Sequence, residues 1–227
     1  MTNIEKIEDM LNKQDGLNCL TSGDDWKSGI TNKGKTIDWL RCIRREAMEL
    51  CDSFPWEHWK ALDKEPDIDN ALIETTDIWF FIMSYILSKN TLDDTLVNNV
   101  IKSLEVKLLT SEKDIPLLAD NLIHATYIKH IHASYGIEYS YLLYNFIKIM
   151  KALDIDLDLL HRLYNGKLML NKFRQDNGYK EGKYRKIWDN KEDNVHMLDI
   201  IRINKNITND VLYEALSNRY NSLVIKG

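Results

Sequence analysis

Two pairs of acidic residues share one spacing: Glu46 and Glu49 within Arg41 to Leu50, and Glu74 and Asp77 within Leu72 to Phe81. Residues three apart on a helix lie on one face, nearly stacked. If the two helices pack together, four carboxylates meet in one small volume. Such a cluster repels itself and is costly to bury unless a cation fills it. Oxygen-only ligands favour a hard ion such as Mg2+, and that ion in turn points to a phosphate-bearing substrate. Either acidic pair alone reads more readily as a solvated helix face. Against that reading, Glu74 and Asp77 lie in Leu72-Ile73-Glu74-Thr75-Thr76-Asp77-Ile78-Trp79-Phe80-Phe81-Ile82-Met83, which is too apolar all round for a surface element.

Three other stretches carry polar chemistry. Gln14 and Asn18 are four apart in a segment with helical spacing of apolar residues, and so share a face. Trp56 and Trp59 fall between the two acidic stretches, where a nucleobase would need a stacking surface, although paired tryptophans are more often core. From Lys172 to Lys186 there are six basic residues against two acidic ones, with Gly178 and Gly182 among them. A basic run is usually a solvated face, but glycines with Lys and Arg also form loops that clamp phosphates. His124, His130 and His132 read as surface or satisfied core groups, because none is placed with a Glu to make a metal triad.

The elements that must position these residues are helices. The chain of 227 residues has only 3 Pro and 9 Gly, which predicts an all-α bundle of long helices and excludes a sandwich or barrel. Helices are expected from Ile4 to Asn18, from near Ile37 with Thr36 as cap, and across the second acidic stretch with Asp67 or Asp69 as cap. Further ones are expected at Leu92 to Thr110, Ile115 to Ser134, Ile137 to Ala152, Asp156 to Arg174 and Thr208 to Tyr220. The net charge of −5 argues against general nucleic-acid binding. The odd set Cys19, Cys42 and Cys51 shows neither disulfide nor zinc spacing and fits a reducing cytoplasm. The N-terminus is not read as a signal peptide, and the uninterrupted apolar run Ile78 to Met83 is far below the roughly 20 residues of a membrane span.

With these residues in view, the chain resembles the dimeric dUTPases of the all-α nucleoside triphosphate pyrophosphatase superfamily, which also includes MazG-type enzymes. The motifs are Gln14-Asp15-Gly16-Leu17-Asn18, Glu46-x-x-Glu49, Trp56 to Lys60 with Glu74-x-x-Asp77, and Phe173-Arg174-Gln175 with Gly178-Tyr179-Lys180-Glu181-Gly182. The resemblance implies that Glu46, Glu49, Glu74 and Asp77 hold two or more Mg2+ ions; a glutamate not fully used as a ligand can then act as general base, and Glu49 is favoured over Glu46 for that role. It implies that Gln14 and Asn18 read the uracil, that Trp59 shapes its pocket, and that Asn171, Arg174, Tyr179, Lys180 and Lys186 bind deoxyribose and phosphates. Arg174 and Lys180 would stabilise charge on the leaving group. The implied activity is hydrolysis of dUTP, and of dUDP, to dUMP by a homodimer. One residue departs from the family pattern, Phe80 standing where a His often follows Asp-Ile-Trp. Residues 1–227 are expected to form one catalytic unit, with 89–134 a helical insertion contributing to a mobile subdomain.

Three rival readings have different signatures. A pyrophosphatase with another base preference, for dCTP or for general house-cleaning, would differ in base readout at Gln14 and Asn18. A di-iron carboxylate bundle needs Glu-x-x-His twice, and the chain contains none. A non-catalytic helical interaction module leaves acids buried in an apolar helix unexplained.

Overall fold

Helix-forming pattern and capping chemistry agree along most of the chain. The structure, a computed structural model, describes residues 1–59, 65–106, 112–128 and 139–225; Lys60, His130 and His132 lie outside these. The first compact unit is Met1–Leu157. It contains α1 (Asn3–Ser22), α2 (Trp39–Asp52), α3 (Ile68–Lys89), α4 (Asp94–Leu104), α5 (Ile115–Ala125) and α6 (Ser140–Ala152). α1 begins with a capping box in which Thr2 and Glu5 satisfy each other's backbone N–H groups. α2 is capped by Asp38, which accepts from Arg41 N at 2.9 Å, and not by Thr36, which is instead bridged to Ile30. Asp67 caps α3 through Asn70 N, and Pro116 occupies the first turn of α5.

α2 and α3 form the hairpin on which the site depends. Ser53 closes it: its carbonyl accepts from Asp67 N at 2.8 Å and its hydroxyl accepts from Asn70 Nδ2 at 2.9 Å. These bonds fix the register of two antiparallel helices. α3 is the core helix, packing on α1, α2 and α6. Trp79 lies fully buried on it, stacked on Phe146 of α6 at 5.3 Å and donating Nε1–H to Met10 Sδ of α1. By length and composition α3 could cross a membrane, but 78% of its most apolar window is buried in the unit, as in the core helix of a water-soluble domain. α4 packs against α1 and α6, and α5 against α2 and α6.

The second unit, Asp158–Gly227, begins one residue into α7 (Leu157–Asp176). A two-stranded hairpin follows, β1 (Ile187–Trp188) and β2 (Lys191–Glu192), then α8 (Asp193–Ile203) and α9 (Asn209–Tyr220). Asp189 and Asn190 take positive φ at the tip, the conformation that lets a two-residue turn follow the twist of its strands. Phe173 sits among the rings of Tyr184, Trp188, Tyr213 and Tyr220, with centroids 5.4 to 6.1 Å away. α8 and the hairpin are additions to the expected elements. Gly166 admits α8: a Cβ there would lie 2.5 Å from Met197 Sδ.

Candidate active site

The carboxylates are placed by the hairpin register. Glu46 lies six residues before the end of α2 and Glu74 six residues after the start of α3, so in an antiparallel pair they stand at one height. Asp77 follows one turn along α3. Glu46, Glu74 and Asp77 each offer an oxygen within 4.8 Å of the others. Glu46 and Glu74 are each 9% exposed. Burial, then the negative charge of Asp77 and that of Glu49, push the Glu46 carboxyl up to about 7, while Arg45 and a hydrogen bond with Glu74 oppose the rise. Three carboxylate oxygens brought this close are a donor set that a hard divalent cation fits.

Glu49 stands outside this triad. Three residues from the end of α2, it falls at the height of Ala71 on the opposing helix. It turns instead to its own helix face, where Arg45 Nε and Nη2 both lie 2.8 Å from Oε1. Oε2 has no partner among the described residues.

Gln14 and Asn18 come together as their spacing requires, each 2% exposed. Gln14 Nε2 donates to Asn18 Oδ1 at 3.1 Å and to Ser84 Oγ at 3.0 Å, and Asn18 Nδ2 donates to the same Oγ at 3.0 Å. Ser84, on α3, donates to the carbonyl of Phe80 at 3.0 Å. The Phe80 side chain is buried. Ser84 is a site candidate that sequence reasoning missed. Its only signal is its place seven residues after Asp77, on the same helix face.

The aromatic residues divide into two groups. Trp59 is 62% exposed, and its ring meets Trp56 at 5.7 Å and His58 at 4.9 Å, both edge-on. A second group was not anticipated: Trp39, the first residue of α2, stacks on Phe81 of α3 at 6.1 Å and meets the buried Trp26 edge-on at 5.8 Å. Phe81 is seven residues from Glu74, and so lies on the acidic side of α3.

In the second unit the anticipated phosphate residues surround a buried ion pair. Arg174 forks onto Asp193, with Nε to Oδ2 at 2.8 Å and Nη2 to Oδ1 at 2.7 Å. Arg174 is 8% exposed and Asp193 fully buried. Nη1 of the same guanidinium donates to Asn171 Oδ1 at 3.1 Å. The Tyr184 hydroxyl donates to Asp193 Oδ2 at 2.8 Å, and burial, then this carboxylate, drive its titration far upward. Tyr179, Lys180 and Lys186 are exposed, with the Lys186 ammonium 5.8 Å over the Tyr179 ring. The turn that carries them is closed by Tyr179 N to Arg174 O at 3.0 Å and Lys183 N to Gly178 O at 3.0 Å.

A helical unit that gathers nearly buried carboxylates from the two arms of one hairpin defines a class, the all-α hydrolases that act on nucleotides. Residues 6–179 match a family model described as dUTPase, and the chain belongs to that family. It hydrolyses dUTP as a dUTP diphosphatase. The matched span covers Gln14 through Tyr179 and stops before Lys180 and Lys186. No curated protein matches the chain.

Proposed function

We propose that the enzyme converts dUTP, and also dUDP, to dUMP, with Glu46, Glu74 and Asp77 holding Mg2+ and Glu49 acting as general base. The observation that carries this reading is the convergence of three carboxylate oxygens from α2 and α3 in a chain of the dUTPase family. When bound, two or more Mg2+ ions would supply charge neutralisation at the phosphate oxygens and lower the pKa of water. Arg45 holds Glu49 by one oxygen and leaves Oε2 to accept a proton from the attacking water. Gln14 and Asn18 read the uracil by hydrogen bonds, and Trp59 walls it by shape. Lys180 and Lys186 meet the phosphates, while Arg174, held by Asp193, keeps Asn171 and the following turn in place for the deoxyribose and phosphates.

We also read residues 1–227 as acting together in catalysis, the span 89–134, of which 107–111 and 129–134 lie outside the described residues, as a helical insertion contributing to a mobile subdomain, and the enzyme as a cytoplasmic homodimer. The three cysteines are free thiols, which suits a reducing compartment. The test is product analysis over dUTP, dUDP, dCTP and dTTP with and without Mg2+. The proposal expects dUMP from dUTP and dUDP, loss of turnover without the ion, and poor use of dCTP and dTTP. Comparable kcat/KM for all three triphosphates would leave a general pyrophosphatase in its place.

A further inference from the structure

Asparagine followed by glycine is the dipeptide most open to deamidation, because no side chain hinders the glycine nitrogen as it attacks the asparagine amide carbon. The chain has two such pairs, Asn165–Gly166 and Asn177–Gly178. The first lies inside α7, where Gly166 is buried against Met197 of α8. The second stands just past the end of that helix. We propose that Asn177 is a site of spontaneous modification, at which water converts the amide to an aspartyl or isoaspartyl residue and undoes the turn that carries Tyr179 and Lys180.

That turn is a helix stop built on glycine. Gly178 takes a φ of 82°, its N–H donates to Gln175 O at 3.2 Å, and Tyr179 N donates to Arg174 O at 3.0 Å. These two bonds are the pair that closes a helix end on a left-handed residue. A side chain at 178 would be strained there, so the stop requires the very residue that leaves Asn177 open to attack. Asn177 is half-buried, and its Nδ2 donates to Phe173 O at 2.9 Å. One long backbone bond and one side-chain bond hold the reacting groups, whereas Gly166 has helix on both sides of it.

The reaction needs water alone. The Gly178 nitrogen loses its proton and bonds to Asn177 Cγ, and the side-chain nitrogen leaves as ammonia, which closes a cyclic imide. Water then opens the ring, its hydroxyl going to one carbonyl carbon while the Gly178 nitrogen regains a proton. Opening at the side-chain carbonyl gives aspartate. Opening at the main-chain carbonyl gives isoaspartate, whose main chain is longer by one C–C bond, about 1.5 Å. Either product removes the N–H donor that faces Phe173 O and puts a carboxylate at the negative end of α7. The longer main chain also breaks the register of the Gly178–Gln175 and Tyr179–Arg174 bonds, and Tyr179 and Lys180 leave their places. The effect on turnover rests on the reading above in which these residues meet the substrate; the modification itself does not.

The experiment incubates the folded enzyme at mildly alkaline pH beside the same chain unfolded in urea, and follows the Asn165 and Asn177 peptides by mass spectrometry with isoaspartate detection. In the folded enzyme Asn177 should convert at least about tenfold faster than Asn165, because a turn opens at little free energy whereas a helix interior has first to unfold locally. The kcat/KM for dUTP should fall with the converted fraction, by at least about tenfold at full conversion, since small displacements of substrate-positioning groups cost up to about 100-fold. Asn177→Gln, whose longer side chain has to close a larger ring, should hold its own starting activity throughout. An Asn177 left unmodified in the folded enzyme while the unfolded chain converts at both pairs would overturn the proposal, and so would equal conversion of Asn165 in the folded enzyme. Lys180→Ala, assayed alongside, keeps the two readings apart. If it lowers kcat/KM and full conversion of Asn177 does not, the claim that modification undoes the turn is overturned. If neither lowers it, the substrate reading of the turn fails, and the modification stands on the mass spectrum.

Discussion

Asp77 and Ser84 lie seven residues apart on one face of α3, two turns or about 10 Å along its axis. One belongs to the carboxylate triad and the other is the hub of the amide network. A single buried helix thus spaces the group proposed for phosphate chemistry from the hydroxyl that contacts the pair proposed for base readout. The helix is held rigidly by Trp79, which is fully buried between α1 and α6. The separation is a property of the core and not of a loop.

The first prediction concerns metal removal and pH. The Glu46 carboxyl titrates near 7 in the metal-free fold, against an ordinary value of 4.5. Between those values the folded chain keeps a proton that the unfolded chain has released, so stability falls as pH rises through this window. Below the ordinary value both states are protonated and the contribution is fully present. The EDTA-treated enzyme should therefore be less stable at about pH 8 than at about pH 5, by an amount on the order of 1–3 kcal/mol, and should melt at a correspondingly lower temperature. Glu46→Gln should flatten the profile, and millimolar Mg2+ should raise the wild-type melting temperature by binding the folded state. A flat wild-type profile in EDTA would show that the triad is not strained by shared charge.

Glu49 supplies the second. Glu49→Gln should lower kcat by at least roughly 100-fold, because a positioned base contributes about 10²- to 10⁴-fold. Its melting temperature should hold, since the side chain is partly exposed and its ion pair with Arg45 is a surface one. Arg45→Met should cost less than about tenfold, as exposed pairs contribute under about 1 kcal/mol. Turnover of Glu49→Gln within a few-fold of wild type would remove Glu49 from the chemistry.

What could be read from residue order was whatever depends on local spacing. The helical character, a cap for α3 at Asp67 or Asp69, and the shared faces of Gln14 with Asn18 and of Glu74 with Asp77 follow from period and capping chemistry. The separate course of Glu49 does not, because it depends on the stagger fixed by Ser53 with Asp67 and Asn70, a contact across the hairpin. Ser84 was silent for a different reason: one hydroxyl in an apolar helix looks like any small residue until its partners arrive from α1. Arg174 and Asp193 are 19 residues apart, with a hairpin between them, and no periodicity links them. The first turn of α2 was misread as capped by Thr36, since Thr and Asp are both good caps and only the bridge at Ile30 removes one of them.

The third prediction is about this buried pair. Asp193→Asn should destabilise the protein by about 3 kcal/mol or more, because it leaves the Arg174 guanidinium buried without its counter-charge. Replacing both partners together, as Arg174→Met with Asp193→Leu, should recover much of the loss. Urea unfolding followed by circular dichroism measures both. A loss below about 0.5 kcal/mol in Asp193→Asn, the range of ordinary surface substitutions, would mean that the fork contributes little to the fold.

The last prediction decides what refuses thymine. The base differs from uracil by one methyl at C5, which hydrogen bonds do not detect, so rejection has to come from a wall. A methyl in a tight pocket changes discrimination by roughly 10- to 200-fold. Trp59 is the proposed wall, and its high exposure makes it a clean test, because Trp59→Ala should shift stability by no more than about 0.5 kcal/mol. The dUTP-to-dTTP ratio of kcat/KM should then fall by at least about tenfold, with a higher KM for dUTP as the ring contact is lost. Gln14→Ala, by contrast, should weaken uracil recognition and leave Mg2+ binding intact, since the triad is built from α2 and α3 alone. The stacked pair Trp39 and Phe81 is the competing wall, beside the acidic face of α3. If Trp59→Ala leaves the dTTP ratio untouched and Phe81→Ala collapses it, the wall belongs to that stack and the role of Trp59 is withdrawn.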